Sequence, residues 1–235
     1  MSVAVADGGI ALVTGAASGS GAEISARLSS TGRKVAGLDL RESDTDLPLI
    51  ADVSDRRAVQ AAVDRVRAEL GPVSMLVTVA GYYEMIPIQE ITSEAWHRML
   101  DVHLGGTYSA CAAVLPDMLE AGGGTIVTIS SELALGGGSE DAHYAAAKGA
   151  IIGFTKSLAV EVAGTGVRVN CVAPGPTDTP LLEPTSPWRD QDFLDTLPLR
   201  RLVRPDEVAE AVLFLAEEGS FFCGQVLSPN AGAVI

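Results

Sequence analysis

Basic charge is scarce in this chain of 235 residues: 16 Lys and Arg stand against 30 Asp and Glu, for a formal net charge of −14. A nucleic-acid binder needs a basic face, and docking on anionic lipid needs basic clusters, so neither partner fits. Long apolar runs are also missing. None approaches the roughly 20 residues of a membrane span, and the nearest, 102–119, is interrupted by His103, Pro116 and Asp117. Met1 to Gly9 carry no basic segment followed by an apolar core, so no signal peptide is read there. Cysteine is limited to Cys111, Cys171 and Cys223, far apart and without a CxxC pair, a pattern that fits reduced, buried thiols in a cytoplasm. The three histidines form no HxxxH or carboxylate cluster, so no metal site is expected. Repeats, linkers and low-complexity stretches are absent. What remains is a globular composition, 47% hydrophobic and 20% charged, in a length that suits a single domain over residues 1–235.

Apolar runs alternate with helical patterns. Strands are expected at Ile10–Thr14, Lys34–Asp39, Leu47–Ala51, Val73–Val79, Thr125–Ser130, Val167–Val172 and Gln225–Ser228. Between them, Val59, Ala62, Val63, Val66 and Leu70 recur at helical spacing, with Ser54 as the cap and Gly71-Pro72 as the stop. Further helices are expected up to Gly32, over about Ser93–Glu120 with bends at Gly105-Gly106 and Pro116, over about His143–Ala163, and over Pro205–Glu217. Such alternation implies an α/β fold of right-handed units on a parallel sheet, whose ligands sit beyond the carboxyl ends of the strands.

Just after the first strand lies Thr14-Gly15-Ala16-Ala17-Ser18-Gly19-Ser20-Gly21. Glycines there allow a tight turn and let a pyrophosphate approach backbone N–H groups at a helix N-terminus. Asp39 ends the second strand, 18 residues beyond Gly21. An acid at that point accepts hydrogen bonds from both ribose hydroxyls of an adenosine and repels a 2′-phosphate, which favours NAD over NADP. Arg41, two residues on, partly offsets that preference. Asp52 and Val53 follow the third strand, where they meet the adenine.

Ser131 follows the fifth strand, and Tyr144 and Lys148 lie four apart near the start of a helix, on one face. A phenol has an ordinary pKa of about 10, and a nearby ammonium together with an oxidised nicotinamide favours its phenolate. Tyr144 then takes the proton of an alcohol while hydride leaves the carbon, or returns it in the reverse direction. Ser131 hydrogen-bonds the same oxygen, and Lys148 also holds the nicotinamide ribose.

Together these segments resemble the short-chain dehydrogenase/reductase family over nearly the whole chain. The glycine turn reads as TGxxxGxG, Tyr144 to Lys148 as YxxxK, and Ser131 stands 13 residues before Tyr144, at the family's serine spacing. Arg168 to Gly175 is similar to the family's segment after the sixth strand, and Gly224-Gln225-Val226-Leu227 to the start of its last one. The resemblance implies a single Rossmann-like, doubly wound domain with a parallel seven-stranded sheet, helices on both faces, and a homotetramer. It puts Pro174, Thr177 and Thr179 on the cofactor, with Thr179 at the nicotinamide carboxamide. Three departures stand out. Thr78-Val79 replaces Asn-Asn, removing side-chain hydrogen bonds that brace the sheet while leaving backbone contacts from Val79, Ala80 and Gly81. His103 replaces the asparagine of the catalytic set; an imidazole titrates near neutral pH and either joins a proton relay to the lysine or merely fills a kink. Asn230-Ala231-Gly232 replaces Asp-Gly-Gly.

The resulting expectation is a hydride transfer between NAD and a small secondary alcohol or ketone, with Ser131, Tyr144, Lys148 and His103 as the catalytic set. A non-catalytic NAD-binding partner protein, or a dehydratase or isomerase on the same scaffold, are the alternatives. Residues about 180–198 mix Leu181, Leu182, Trp188, Phe193 and Leu197 with charges and read as a substrate lid. Glu132 is expected to point into solvent, the alternative being a role in holding a polar or cationic substrate group. His97 is read as a surface residue and His143 as lying off the site. Tyr82 and Tyr83 stand at the mouth of the cleft, either on substrate or in loop packing.

Overall fold

The computed structural model describes residues 8–235. Most of the segment from Met1 to Gly9, on which the signal-peptide reading rests, lies outside them. In chain order the elements are β1 (Ile10–Thr14), α1 (Gly19–Ser30), β2 (Lys34–Asp39), β3 (Leu47–Ile50), α2 (Arg56–Glu69), β4 (Val73–Thr78), α3 (Ser93–Leu100), α4 (Gly106–Glu120), β5 (Gly124–Ile129), α5 (Leu133–Gly136), α6 (Ala142–Glu161), β6 (Val167–Val172), α7 (Gln191–Thr196), α8 (Pro205–Leu213) and β7 (Val226–Leu227). All the strands run parallel in one seven-stranded sheet, in the order β3-β2-β1-β4-β5-β6-β7. Because both faces are covered, the central strands are apolar almost throughout. One face packs Val59, Val63 and Val66 of α2, Ala110 and Val114 of α4 and Leu158 of α6. The other packs Ile24 and Leu28 of α1 against Val208 and Val212 of α8. This is the doubly wound, Rossmann-like arrangement, and its topological switch point lies between β1 and β4.

Four local expectations need correction. Asp55, not Ser54, caps α2: its Oδ1 accepts from the Arg57 and Ala58 amides at 2.8 and 3.2 Å. Ser54 is drawn away because its hydroxyl and amide both donate to Asp52 Oδ1. The long helix does not simply bend at Gly105-Gly106: a π-helical turn, Asp101–Gly105, joins α3 to α4, and Pro116 sits inside α4. Such turns displace the register of side chains and recur at functional sites; this one carries His103. The last strand is shorter than its pattern, and α8 runs into a second π turn, Phe214–Glu218. Finally, Cys111 and Cys171 are buried but Cys223 is exposed, in the loop before β7.

Among the described residues, no helix is long and apolar enough to cross a membrane.

Candidate active site

Two adjoining cavities open beyond the carboxyl ends of the strands. The outer one, about 940 Å³, is lined by Gly15, Ser18, Gly19, Ser20, Gly21, Asp39, Asp52, Val53, Val79, Ala80, Gly81 and Thr179. The inner one, about 120 Å³, is lined by Ser131, Tyr144, Lys148, His103, Pro174, Thr177 and Thr179. Every residue of the expected catalytic and cofactor-binding sets therefore lines one of these cavities.

The outer cavity is shaped by backbone. Gly15 has φ +70°, and a Cβ there would come within 2.8 Å of the Ala80 backbone. A Cβ on Gly21 would overlap the Gly15 carbonyl oxygen. Only glycine lets this turn close beneath α1, whose N-cap Ser18 makes no side-chain cap and leaves the first amides free. Asp39 is tied into the same turn: Oδ2 accepts from the Ala17 amide at 3.0 Å and Oδ1 from the Arg41 amide at 3.1 Å. Arg41 reaches across the rim and donates to Ser18 Oγ at 3.0 Å. The brace removed at Thr78-Val79 is supplied from β1, where Thr14 Oγ1 accepts from the Val79 and Ala80 amides, each at 3.1 Å. The turn, the free amides and the carboxylate match the donor and acceptor pattern of a dinucleotide.

Side chains shape the inner cavity. Tyr144 and Lys148, one turn apart on α6, are both buried. Lys148 Nζ donates to the Ile129 carbonyl at 3.0 Å and lies 5.7 Å from the centre of the Tyr144 ring. Burial lowers its pKa to about 8. In the chain by itself, burial and then the charge of Glu132 push the Tyr144 pKa upward, opposed by the Ser131 hydrogen bond.

His103 is 2% exposed, against Gly81, where a Cβ would strike the ring. Its Nε2–H donates to the Tyr82 carbonyl at 2.9 Å, leaving Nδ1 buried without a partner. The ring meets Tyr144 edge-on at 5.5 Å. Near-neutral titration is not what this site gives it: burial, then the Lys148 charge, drives its pKa well below the usual value. A neutral ring that pins the Tyr82 loop and packs on Tyr144 is what remains.

Glu132 is the larger surprise, since it does not point into solvent. It is 6% exposed, lines the inner cavity and accepts the Ser131 hydroxyl proton through Oε2 at 2.8 Å. Burial raises its pKa to about 7. Its backbone is folded inward by α5, whose Leu135 and Gly136 amides both donate to the Glu132 carbonyl; the only signal in the sequence is the apolar stretch that follows it. Tyr83 also lines this cavity; its hydroxyl donates to Asp141 Oδ1 at 2.7 Å and accepts from Trp188 Nε1 at 2.8 Å. That bond ties the 180–198 segment, with a 3₁₀ turn at Pro187–Arg189 and the short α7, over the opening. His97 is exposed, on the rim of the outer cavity. His143 is fully buried and lines neither cavity.

The family model for short chain dehydrogenases matches residues 9–190. A 3-oxoacyl-acyl-carrier-protein reductase of Thermotoga maritima is 33% identical, over 97% of this chain and 99% of its own length. A D-threitol dehydrogenase of Mycolicibacterium smegmatis is 37% identical, over 91% of this chain and 88% of its own. Among solved structures, a 3-ketoacyl-(acyl-carrier-protein) reductase of Brucella melitensis complexed with NADH superimposes with a TM-score of 0.91 at 30% identity, covering 97% of this chain and 99% of that one.

Proposed function

The chain belongs to the short chain dehydrogenase family, and on that premise we propose that it transfers a hydride between NAD(H) and a small secondary alcohol or its ketone. The observation that carries this reading is the meeting of the two cavities. The glycine turn and Asp39 line one, Ser131, Tyr144 and Lys148 line the other, and Ser20, Val79, Gly81 and Thr179 line both.

The nicotinamide supplies the hydride acceptor or donor and, when oxidised, the positive charge. The rest falls to the chain. Tyr144 holds the proton of the reacting oxygen; its raised pKa suits a donor, and the positive charge beside it is what turns it into a base. Ser131 orients that oxygen from the end of β5. Lys148, its pKa lowered by burial to about 8, lies one helical turn from Tyr144 and would hold the ribose. His103 holds the Tyr82 loop against the ring of Tyr144 and so acts as a positioning residue. The 180–198 segment closes the inner cavity to water through Trp188.

The preference for NAD rests on Asp39, whose carboxylate is held toward the outer cavity by two backbone amides, where it opposes a 2′-phosphate. Arg41 lies beside that carboxylate, with Nε 4.0 Å from Asp39 Oδ1 and Nη2 donating to Ser18 Oγ, where it partly offsets that preference. The relatives' names span reduction of a ketone and oxidation of an alcohol, so the reaction class is common ground. Calorimetric titration with NADH and NADPH, followed by a screen of secondary alcohols with NAD⁺, tests the reading. Tight NADH binding with turnover supports it. NADH binding without turnover of any alcohol or ketone would turn the reading to a nucleotide-binding partner protein, and stronger NADPH binding would overturn the role given to Asp39.

A further inference from the structure

The inner cavity contains one carboxylate. Glu132 stands beside the serine that meets the reacting oxygen, at a position where burying an acid costs stability unless it is hydrogen-bonded or neutralised. Ser131 has one proton and two lone pairs. The proton goes to Glu132 Oε2, and one lone pair takes the Leu133 amide at 3.1 Å. The proton of a reacting alcohol goes to Tyr144, so Ser131 meets that oxygen as a donor and must turn its own proton away from Glu132. Glu132 Oε2 then lacks the donor it had. A donor and an acceptor therefore face a ligand, their oxygens 2.8 Å apart, close to the separation of two oxygens on adjacent carbons.

Most other polar side chains of the cavity are already engaged, and His103 Nδ1, which is not, is buried. Lys148 Nζ donates to Ile129, Thr177 Oγ1 donates to Gly175, and the Tyr83 hydroxyl is held between Asp141 and Trp188. The remaining wall is apolar, formed by Leu133, Leu181, Leu182 and Trp188. Such a wall leaves no partners for hydroxyls elsewhere on a ligand.

Resting on the oxidoreductase reading above, we infer that Glu132 is a specificity-determining residue and that the substrate is a small vicinal diol, or the matching α-hydroxyketone, on an otherwise hydrocarbon body. The hydroxyl on the reacting carbon meets Ser131 and Tyr144; the hydroxyl on the next carbon donates to Glu132. A lone alcohol that draws the Ser131 proton to itself leaves Glu132 Oε2 buried without that donor, which is the source of discrimination. Burial raises Glu132 to about 7, so it holds the second oxygen either as an acceptor or, when protonated, as a donor.

The test compares cyclohexane-1,2-diol (both cis and trans) with cyclohexanol, by kcat/KM with NAD⁺, in the wild type and in Glu132→Val and Glu132→Gln. An NADH titration of each variant checks that the fold persists. The wild type is expected to prefer one of the diols by about tenfold or more, the scale of one hydrogen bond to a charged group. That ratio is expected to fall by at least tenfold in Glu132→Val and by less in Glu132→Gln, which keeps an acceptor and carries the test alone if the valine variant does not fold. Oxidation of cyclohexanol without a diol preference, or a ratio unchanged by both substitutions, overturns this inference and leaves the parent reading standing. A tenfold preference for 2-aminocyclohexanol over the diols overturns the hydroxyl assignment in favour of a cation. Failure of the wild type to oxidise any of these alcohols, or other secondary alcohols, overturns both.

Discussion

Behind β1 the cavity is shaped by main chain, whereas behind β5 it is shaped by side chains. The outer cavity is defined by Gly15, Gly21, the free amides of α1 and one acid held by amides. The inner cavity is defined by Ser131, Glu132, Tyr144, Lys148 and His103, all buried, four of them with pKa values moved by burial. On the function proposed above, backbone geometry fits a ligand that is the same in every turnover, and buried titratable side chains move protons and distinguish one substrate from another. The first region depends on what cannot be added to it, the second on what cannot be removed.

The largest effect should come from removing the proton carrier. Tyr144→Phe is expected to lower kcat by about 10²–10⁴-fold, while NADH affinity, measured by calorimetry, changes far less. Equal losses in both would erase the contrast between the two cavities. Next is Asp39→Ala, expected to reduce the preference for NADH over NADPH by about ten- to a hundredfold, the scale of a hydrogen bond to a charged group. Gly21→Ala probes the main chain itself. Its added Cβ overlaps the Gly15 carbonyl, and at about 1–3 kcal/mol of strain NADH should bind about tenfold more weakly, read by titration.

The smallest effect sharpens the electrostatic side. His103 is held neutral when folded and has an ordinary pKa of 6.5 unfolded. Below that pH the unfolded chain binds the extra proton, so stability falls on acidification by up to about 1.4 kcal/mol per pH unit. Glu132 runs the other way: its folded pKa of about 7 lies above 4.5, the folded state holds the proton, and stability is lost as pH rises through that window. Urea unfolding at pH 5.5 and 7.5 should show His103→Asn losing less stability on acidification than the wild type. An identical pH dependence would mean the imidazole is not held neutral by burial.

The outer cavity was legible in the sequence because steric demands are written as glycine, and glycine between a strand and a helix has few other uses. Tyr144 and Lys148 were legible because spacing on a helix is arithmetic. Glu132 was not, because an acid defaults to water unless tertiary structure folds it inward, and α5 is a single short turn with no periodicity to detect. The π turn at Asp101–Gly105 was hidden for a related reason: one extra residue in a turn leaves the apolar pattern on either side intact. At α2, Ser54 and Asp55 are both good caps, and the choice was made by Asp52, through hydrogen bonds that local sequence rules do not weigh.

Thr179 and Leu181 stand in the walls of both cavities. A displacement of that stretch that reshapes one chamber reshapes the other, so occupants of the two chambers would share a coupling free energy through it. Reciprocity then fixes the outcome: by whatever factor the dinucleotide tightens the hold on the alcohol, the alcohol tightens the hold on the dinucleotide by the same factor.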